Sequence, residues 1–306
     1  MSGGEWRAMV ERSSCADDAH EWSPWVPRTA ESQATARICY RCGKYQRDDA
    51  DEPAPAQPPE GMATHREFVG PVERYDINAA MMFNLLTTLG LRGGHKLLDI
   101  GCGSLRNGRL LIPYLEAGNY VGFEPNRWLV EEAIRTEIGA DIVRLKKSRF
   151  FYSTSPDDLD PSLRFDYAFA NAIFVHGPLS LFQSWITRTS QCLNDNGVFL
   201  ASFHVGDEDH KGDSWLYPGH TQFRLDTIRA AAVKAGFRFQ TLSWRHPHGY
   251  AWGLFAKPAF DTSWFSDETL SWNTRVDADR SYRIWPDGQP WLDAKMGLAL
   301  SRTSPG

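Results

Sequence analysis

Short apolar runs alternate with amphipathic segments over most of the chain. The run LLDI at 97–100 is typical of a buried strand, whereas residues 127–139 carry apolar positions at helical spacing and end at a glycine. Strands that alternate with helices predict an α/β fold, with a mostly parallel sheet and helices on both faces. The predicted strands are 96–100, 119–124, 140–145, 165–171, 197–203, 237–244 and 250–257, and the predicted helices are 78–90, 108–117, 127–139, 179–193 and 224–236. The last two strands are expected to pair antiparallel.

Both ends of the chain depart from this pattern. Residues 48–63 combine acidic residues with four prolines, a composition that cannot bury enough apolar surface to fold alone. We therefore predict an N-terminal module at 1–47, a linker at 48–63, an α/β domain at 64–258 and a C-terminal extension at 259–306. The extension is rich in tryptophan, and its pattern predicts no particular fold.

Composition narrows the class of protein. The chain has 306 residues and a formal net charge of -5, a balance that disfavours nucleic acid as a partner because non-specific binding needs a basic surface. No apolar run approaches the roughly 20 residues that a membrane helix needs, and the first residues lack the apolar core of a signal peptide. The five cysteines are odd in number and crowd near one end, unlike a disulfide framework. The sequence therefore predicts a cytoplasmic protein without a membrane partner.

The stretch LLDIGCGSLRNG at 97–108 carries the strongest chemical signal. A predicted strand ends just after Asp99, and Gly101 and Gly103 follow before a helix. Glycines at such a turn let the backbone approach a ligand closely, and the next helix presents free N–H groups. Glu124 closes the following strand, where a carboxylate can accept hydrogen bonds from ribose hydroxyls. The pattern predicts a cofactor with a nucleoside at the carboxyl ends of the strands.

These motifs resemble those of the class I, Rossmann-like methyltransferases that depend on S-adenosylmethionine. The resemblance spans about residues 70–258 and rests on LLDIGCGS, YVGFEP, FDYAFANAIFVH and NDNGVFLASF. The glycine loop reads D-x-G-x-G-S instead of the dinucleotide pattern G-x-G-x-x-G. The resemblance implies a seven-stranded Rossmann-like sheet and S-adenosyl-L-methionine as the cofactor.

Position by position, the resemblance also implies a set of cofactor-binding residues. They are Asp99 at the amino group, Gly101 and Gly103 along the methionine part, Glu124 at the ribose, Pro125 against adenine, Ser148 at the adenine N–H groups, and Asn171 or Ala170 beside the sulfonium. Cys102, between the two glycines, belongs to the same loop and is interpreted as a small packing residue instead of a nucleophile.

Two histidines are candidates for the base that a hydroxyl acceptor requires. His176 lies just past the predicted fourth strand, and His204 ends the fifth. An imidazole titrates near neutral pH and suits this role, although either ring could simply pack against the next element. The Asp and His residues after His204 could also hold a metal, but their spacing does not show such a site.

Four further residues are interpreted as structural. His246 and His248 lie in a predicted hairpin turn and are interpreted as solvated turn residues, with contact to the substrate as the alternative. Arg106 and Arg109 follow the glycine loop and are interpreted as helix-surface residues, with a contact to a carboxylate as the alternative.

Two pairs of possible metal ligands occur near the N-terminus. Cys15 and His20 form one pair, and Cys39 and Cys42 form a C-x-x-C-G knuckle about twenty residues later. This spacing fits a tetrahedral structural Zn2+ site and is similar to a zinc ribbon. A redox C-x-x-C pair, or a His20 that binds no metal, are the alternatives. Residues 1–60 carry seven Lys and Arg against eleven Asp and Glu, which favours protein contact over nucleic-acid binding for this module.

Together these features predict a methyltransferase that acts on a hydroxyl of a small molecule or a saccharide-like acceptor. One alternative is a modifier of protein or nucleic acid that recognises its target through the zinc module. Another is a non-catalytic binding protein that keeps the fold. The sequence ANAIF at 170–174 lacks the Asn/Asp-Pro-Pro motif of amino methyltransferases, which disfavours that subclass. The acceptor and the oligomeric state stay open.

Overall fold

The structure, a computed structural model, describes residues 64–263 and the backbone of three short N-terminal strands. These strands are β1 (Val26–Pro27), β2 (Thr35–Ile38) and β3 (Tyr45–Arg47), and they pair antiparallel in the order β1-β2-β3.

The predicted zinc module falls largely outside these residues. Its four expected ligands, Cys15, His20, Cys39 and Cys42, are not among the described residues, and neither are the linker and most of the extension. Within the described residues, no group of three or more His, Cys, Asp or Glu side chains could hold a metal ion. The zinc site and the division into modules stay predictions.

A seven-stranded sheet organises residues 64–263. Its strands are β4 (Leu97–Ile100), β5 (Tyr120–Phe123), β6 (Arg149–Phe151), β7 (Phe165–Ala170), β8 (Leu193–Phe203), β9 (Arg238–Leu242) and β10 (Ala251–Ala256), in the order β6-β5-β4-β7-β8-β10-β9. Neighbours from β6 to β8 are parallel, whereas β10 runs antiparallel to both β8 and β9. The number of strands, seven, and the antiparallel pairing of the last two are confirmed, but the sheet is mixed, which corrects the expectation of a mostly parallel one. The reason is that the last strand inserts, reversed, between β8 and β9.

Helices cover the sheet. They are α1 (His65–Phe68), α2 (Tyr75–Thr88), α3 (Gly108–Tyr114), α4 (Arg127–Ala133), α5 (Ala140–Lys146), α6 (Leu179–Cys192) and α7 (Leu225–Lys234). A π-helical turn (Ile134–Ile138) continues α4, and short 3-10 turns lie at Val72–Arg74 and Pro156–Asp158. None of the helices described combines the length and the apolar character that a bilayer crossing demands.

The predicted strand at 140–145 is wrong, because these residues form α5. A short apolar run can be a strand or a buried helix, and periodicity alone does not decide between them. Here Ile142 and Val143 pack against the core, whereas Leu145 is exposed. The helix ends where Lys147 adopts a left-handed conformation, and the third strand of the sheet begins only at Arg149.

Two apolar cores lie on opposite faces of the sheet, because successive strand residues point to opposite sides. In β8, Val198 and Leu200 belong to the core beneath α2 to α5, whereas Phe199, Ala201 and Phe203 belong to the core beneath α6 and α7. Both faces of the central strands are therefore buried, and the polar ends of the strands remain for chemistry.

Replacing Phe255 with alanine should destabilise the second core. The ring is fully buried and lies 5.3 Å from that of Phe199 and 5.0 Å from that of Phe239. We expect Phe255→Ala to lower the free energy of unfolding by about 3–5 kcal/mol, measured by urea denaturation. The control Val233→Ala, at a side chain 67% exposed, should change it by less than about 0.5 kcal/mol. Equal effects of the two changes would contradict this packing.

Candidate active site

The loop after β4 is fixed to the end of β5. Gly101 and Gly103 have φ angles of +68° and +54°, values that only glycine adopts readily. The backbone N–H groups of Gly101 and Cys102 both donate to the carbonyl of Phe123, at 2.7 and 3.2 Å. The chain therefore turns sharply at the carboxyl edge of the sheet, as the sequence predicts.

Both glycines make room for neighbouring side chains. A Cβ atom on Gly101 would lie 2.0 Å from Cδ1 of Ile173, and one on Gly103 would lie 3.1 Å from Cγ1 of Val69. Between them, Cys102 is buried, and this burial raises the pKa of its thiol well above the usual range. A thiol that stays protonated supports a packing role for Cys102.

Glu124 turns its carboxylate toward this loop. The side chain is only 6% exposed, and its Oε2 accepts the N–H of Gly103 at 3.0 Å. Its Oε1 accepts both the backbone N–H and the side-chain amide of Asn126, at 2.8 and 2.9 Å. A carboxylate has about four lone-pair sites, so Oε2 can still accept one donor. Pro125, directly after it, is exposed.

Asp99 has a partner that the sequence analysis missed. Its Oδ2 accepts the hydroxyl of Tyr120 at 2.7 Å, and burial raises the pKa of Asp99 to about 7. Tyr120 opens β5, which pairs in register with β4 and so brings the two side chains together. The predicted contact of Asp99 with an amino group stays a prediction.

Ser148 does not reach the cofactor edge. It precedes β6, and the pairing of Val121 with Arg149 puts it at the amino end of the strands, opposite the glycine loop. Its buried hydroxyl has no hydrogen-bond partner among the residues described. The prediction placed Ser148 after the third strand because it took 140–145 as that strand. Tyr152, which follows β6, is the residue at the carboxyl edge.

Asn171, at the end of β7, is held by a histidine from the β9–β10 hairpin. Nε2 of His246 donates to Oδ1 of Asn171 at 2.8 Å, while its Nδ1 accepts the N–H of His248 at 3.0 Å. Burial lowers the pKa of His246 well below the usual range, so the ring is neutral. The other amide atom, Nδ2 of Asn171, is buried and has no partner within residues 64–263.

The interpretation of His246 and His248 as solvated turn residues is therefore wrong. His246 is 4% exposed, and Nε2 of His248 accepts the amide of Asn78 at 3.1 Å. Because β9 runs in the same direction as β8, its carboxyl end and the following hairpin lie at the cofactor edge. The direction of β9 is therefore the signal that could have identified His246 and His248 as residues near the cofactor edge.

His176 presents one nitrogen to the site. Its Nδ1 lies 2.6 Å from the carbonyl oxygen of Gly219 and so carries the proton, which leaves the lone pair on Nε2. The ring is buried and packs 4.9 Å from Tyr217 and 5.0 Å from His220. Burial lowers the pKa of His176 below 6.5. His204 is exposed, and its ring is 6.3 Å from that of His220.

Residues 64–74, the covering segment, lie over the glycine loop. Its Phe68 packs edge-on against Trp128 at 5.2 Å and lies 5.9 Å from Tyr217. The segment is anchored by Glu137, which accepts hydrogen bonds from Arg66 at 2.5 and 2.7 Å. The covering segment thus connects the loop side of the site with the segment after β8.

A family model described as a methyltransferase domain matches residues 72–242, more than half of the chain. This chain belongs to the methyltransferase domain family. The enzyme is an S-adenosylmethionine-dependent methyltransferase, as the sequence motifs predict.

Solved structures similar to the methyltransferase include three methyltransferase-fold proteins from bacteria. DesVI of Streptomyces venezuelae is 14% identical, with 64% of this chain and 99% of that chain covered and a TM-score of 0.46. CalS10 of Micromonospora echinaspora, an amino pentose methyltransferase, is 15% identical. The match covers 60% of this chain and 91% of that chain, with a TM-score of 0.44. Magnesium protoporphyrin IX methyltransferase of Synechocystis PCC 6803 is 15% identical. The match covers 62% of this chain and 90% of that chain, with a TM-score of 0.43.

The residues around the glycine loop of the methyltransferase fit S-adenosylmethionine. Glu124 keeps one acceptor position on Oε2 at the glycine loop, as a ribose hydroxyl would need. The unpartnered Nδ2 of Asn171 supplies a buried donor at the end of β7, which is separated from β5 by β4 in the sheet. A buried donor without a partner is costly, and a ligand acceptor would remove that cost.

Alanine at position 101 should weaken cofactor binding by moving the loop. The φ of +68° costs an alanine roughly 1–2 kcal/mol, and the new Cβ would also displace Ile173. We expect Gly101→Ala to lower the affinity for S-adenosylhomocysteine about tenfold or more in calorimetry.

Gly118→Ala is the matched control. Gly118 has a φ of +88° and would have nothing within 4 Å of its Cβ. Gly118→Ala should incur a similar backbone cost without displacing a neighbour, and it should keep its affinity for S-adenosylhomocysteine. Equal loss of affinity in the two variants would mean that the loop geometry at Gly101 has no special role.

Asp99 should make stability depend on pH. Burial raises its pKa to about 7 from the ordinary 3.8, so between these values the folded state keeps a proton that the unfolded state releases. Stability should therefore fall as the pH rises from about 4 to about 7. Asp99→Asn removes this pH dependence. The free energy of unfolding of the variant, relative to that of the wild type, should therefore rise over that pH range by at most about 4 kcal/mol. Denaturation curves at several pH values measure it, and a constant difference would contradict it.

Proposed function

We propose that this methyltransferase transfers a methyl group to a hydroxyl of a small-molecule or saccharide-like acceptor, with His176 as the general base. The observation that carries the proposal is the hydrogen bond from Nδ1 of His176 to the carbonyl of Gly219. It fixes the tautomer whose Nε2 can accept a proton.

S-adenosylmethionine supplies a methyl carbon made electrophilic by its sulfonium. A hydroxyl that attacks such a carbon must lose its proton, and a positioned base accelerates that step. Because burial lowers the pKa of His176, the ring is neutral near pH 7 and ready to accept it. As Nε2 takes the proton, the Gly219 carbonyl keeps its bond to Nδ1–H and stabilises the charged ring.

On the cofactor side, Glu124 would bind the ribose through the remaining acceptor position of Oε2. The exposed ring of Pro125 would pack on adenine, and Gly101 and Gly103 would line the methionine part. Asn171, at the end of β7, would border the sulfonium. The hydrogen bond from His246 keeps the Asn171 side chain in place, so that His246 acts as a positioning residue.

On the acceptor side, aromatic rings surround His176. Its ring lies 5.7 Å from Trp215 and 4.9 Å from Tyr217, and His220 donates to or accepts from the hydroxyl of Tyr250 at 2.8 Å. Flat aromatic faces beside polar groups suit the ring of a sugar or a phenol. Trp215 is half exposed, which supports an acceptor that enters from solvent.

The test is methyl transfer from labelled S-adenosylmethionine to a panel of monosaccharides, amino sugars and phenols. The wild-type full chain should give O-methyl products, identified by NMR. His176→Gln should lower kcat by roughly 100-fold or more, because a general base contributes about that much, while the affinity for S-adenosylhomocysteine stays the same. In the wild type, kcat/KM should fall with decreasing pH only below 6.5, where His176 becomes protonated, and the variant should lack this limb.

The same substitution at His204 separates the two candidate bases. A larger loss of kcat in His204→Gln than in His176→Gln would assign the base to His204 and overturn the role of His176. Methyl products found only on nitrogen would overturn the proposed hydroxyl chemistry.

A further inference from the structure

Arg106 is a buried cation whose expected counterion is missing from the described residues. The residue is 8% exposed, and its Nη1 donates to the carbonyl of Val69 at 3.1 Å. Its guanidinium carbon lies 6.0 Å from the ring centre of Tyr75, and its Nε is buried without a hydrogen-bond partner in the 64–263 range. Over the same range, Arg106 makes no ion pair with any carboxylate. The interpretation of Arg106 as a helix-surface residue is therefore wrong.

A buried charge without a partner is costly, so proteins pair such groups or use them. Asp99 is the acidic residue whose charge acts on Arg106, but its carboxyl is bonded to Tyr120 and burial raises its pKa to about 7. Asp99 is therefore only partly ionised near neutral pH. By contrast Arg109, one turn along, forms an ion pair with Asp76 and is satisfied.

Arg106 is connected to the acceptor side of the site through the covering segment. Its Nη1 donates to the carbonyl of Val69, and the ring of the preceding Phe68 lies 5.9 Å from that of Tyr217. Burial and then the Arg106 charge lower the pKa of His248 to about 4. Burial raises the pKa of Tyr217 and of Tyr250, and the Arg106 charge opposes both shifts. Tyr217 belongs to the segment after β8, which supplies the aromatic rings near His176, whereas His248 and Tyr250 belong to the hairpin after β9.

We propose that Arg106 binds a carboxylate carried by the methyl acceptor. The inference rests on the proposed function, because it names the class of acceptor that the same site would take. A guanidinium offers several N–H donors in one plane, which match the two oxygens of a carboxylate. Nε of Arg106, buried and unpartnered, is one such donor. The acceptor is thus an acidic hydroxy compound, such as a uronic acid or a phenolic acid, instead of a neutral one.

The experiment compares acceptors that differ only in charge. Calorimetry on the full chain, saturated with S-adenosylhomocysteine, would measure binding of glucuronate against glucose and of 4-hydroxybenzoate against 4-hydroxybenzyl alcohol. We expect at least one carboxylate to bind about 10- to 100-fold more tightly than its neutral counterpart, the range of a charge-assisted hydrogen bond. Arg106→Gln should abolish this preference, and Arg106→Lys should keep part of it.

Arg109→Gln is the matched control, because it removes a neighbouring positive charge that already has a partner. It should leave the preference intact, and thermal unfolding would verify that each variant is folded. Failure of every carboxylate to bind better than its neutral counterpart would overturn the proposal, as would a preference that survives in Arg106→Gln.

The cofactor has a carboxylate of its own, and a second measurement separates this source. Arg106→Gln could weaken binding of S-adenosylhomocysteine more than about tenfold, and the wild type could show the same loss with the decarboxylated cofactor. These two results together would mean that Arg106 binds the carboxylate of the cofactor, and the acceptor proposal would fail. Methyl transfer to neutral hydroxyl acceptors in that case would leave the proposed function standing while this inference falls.

Discussion

The hydrogen bonds between the glycine loop and the end of β5 are the constraint on which the site depends. The carbonyl of Phe123 accepts two consecutive loop amides, and the carboxylate of Glu124 accepts a third from Gly103. Amides withdrawn from solvent need an acceptor, and the observed conformation of the loop satisfies all three. That conformation brings Glu124 and the loop backbone together at one edge of the sheet.

The reversed strand β10 decides what faces this loop. It inserts between β8 and β9, so that β9 runs parallel to β8 and ends at the same edge. The hairpin after β9 can then bring His246 against Asn171 and His248 against Asn78. A mixed sheet thus supplies a second wall to the site, which an entirely parallel sheet would have to build from longer loops.

Several buried polar groups of the site are only partly satisfied within the described residues. Nδ2 of Asn171 and Nε of Arg106 lack partners there, and Asp99 holds a carboxyl that burial makes reluctant to ionise. Such groups lower stability, and these three lie beside the glycine loop, at or just beyond the carboxyl ends of β4 and β7. Their distribution follows the common pattern in which binding sites keep unpaired groups that a ligand completes.

The sequence alone predicted the α/β alternation, the glycine loop and the carboxylate of Glu124, because these depend on local patterns. Apolar period, glycine spacing and a strand-end acid are all properties of neighbouring residues. It failed at 140–145, where a short apolar run fits both a strand and a helix, and with it failed the placement of Ser148.

Only the tertiary structure decided which distant side chains meet. The pairing of Tyr120 with Asp99, the burial of Arg106 beneath the covering segment and the return of His246 to Asn171 join residues that are 21, 37 and 75 positions apart. Contacts of this kind depend on strand order and direction, which no local pattern specifies. The sequence therefore determined the cofactor chemistry of this protein, and the three-dimensional arrangement of its strands determined what surrounds that chemistry.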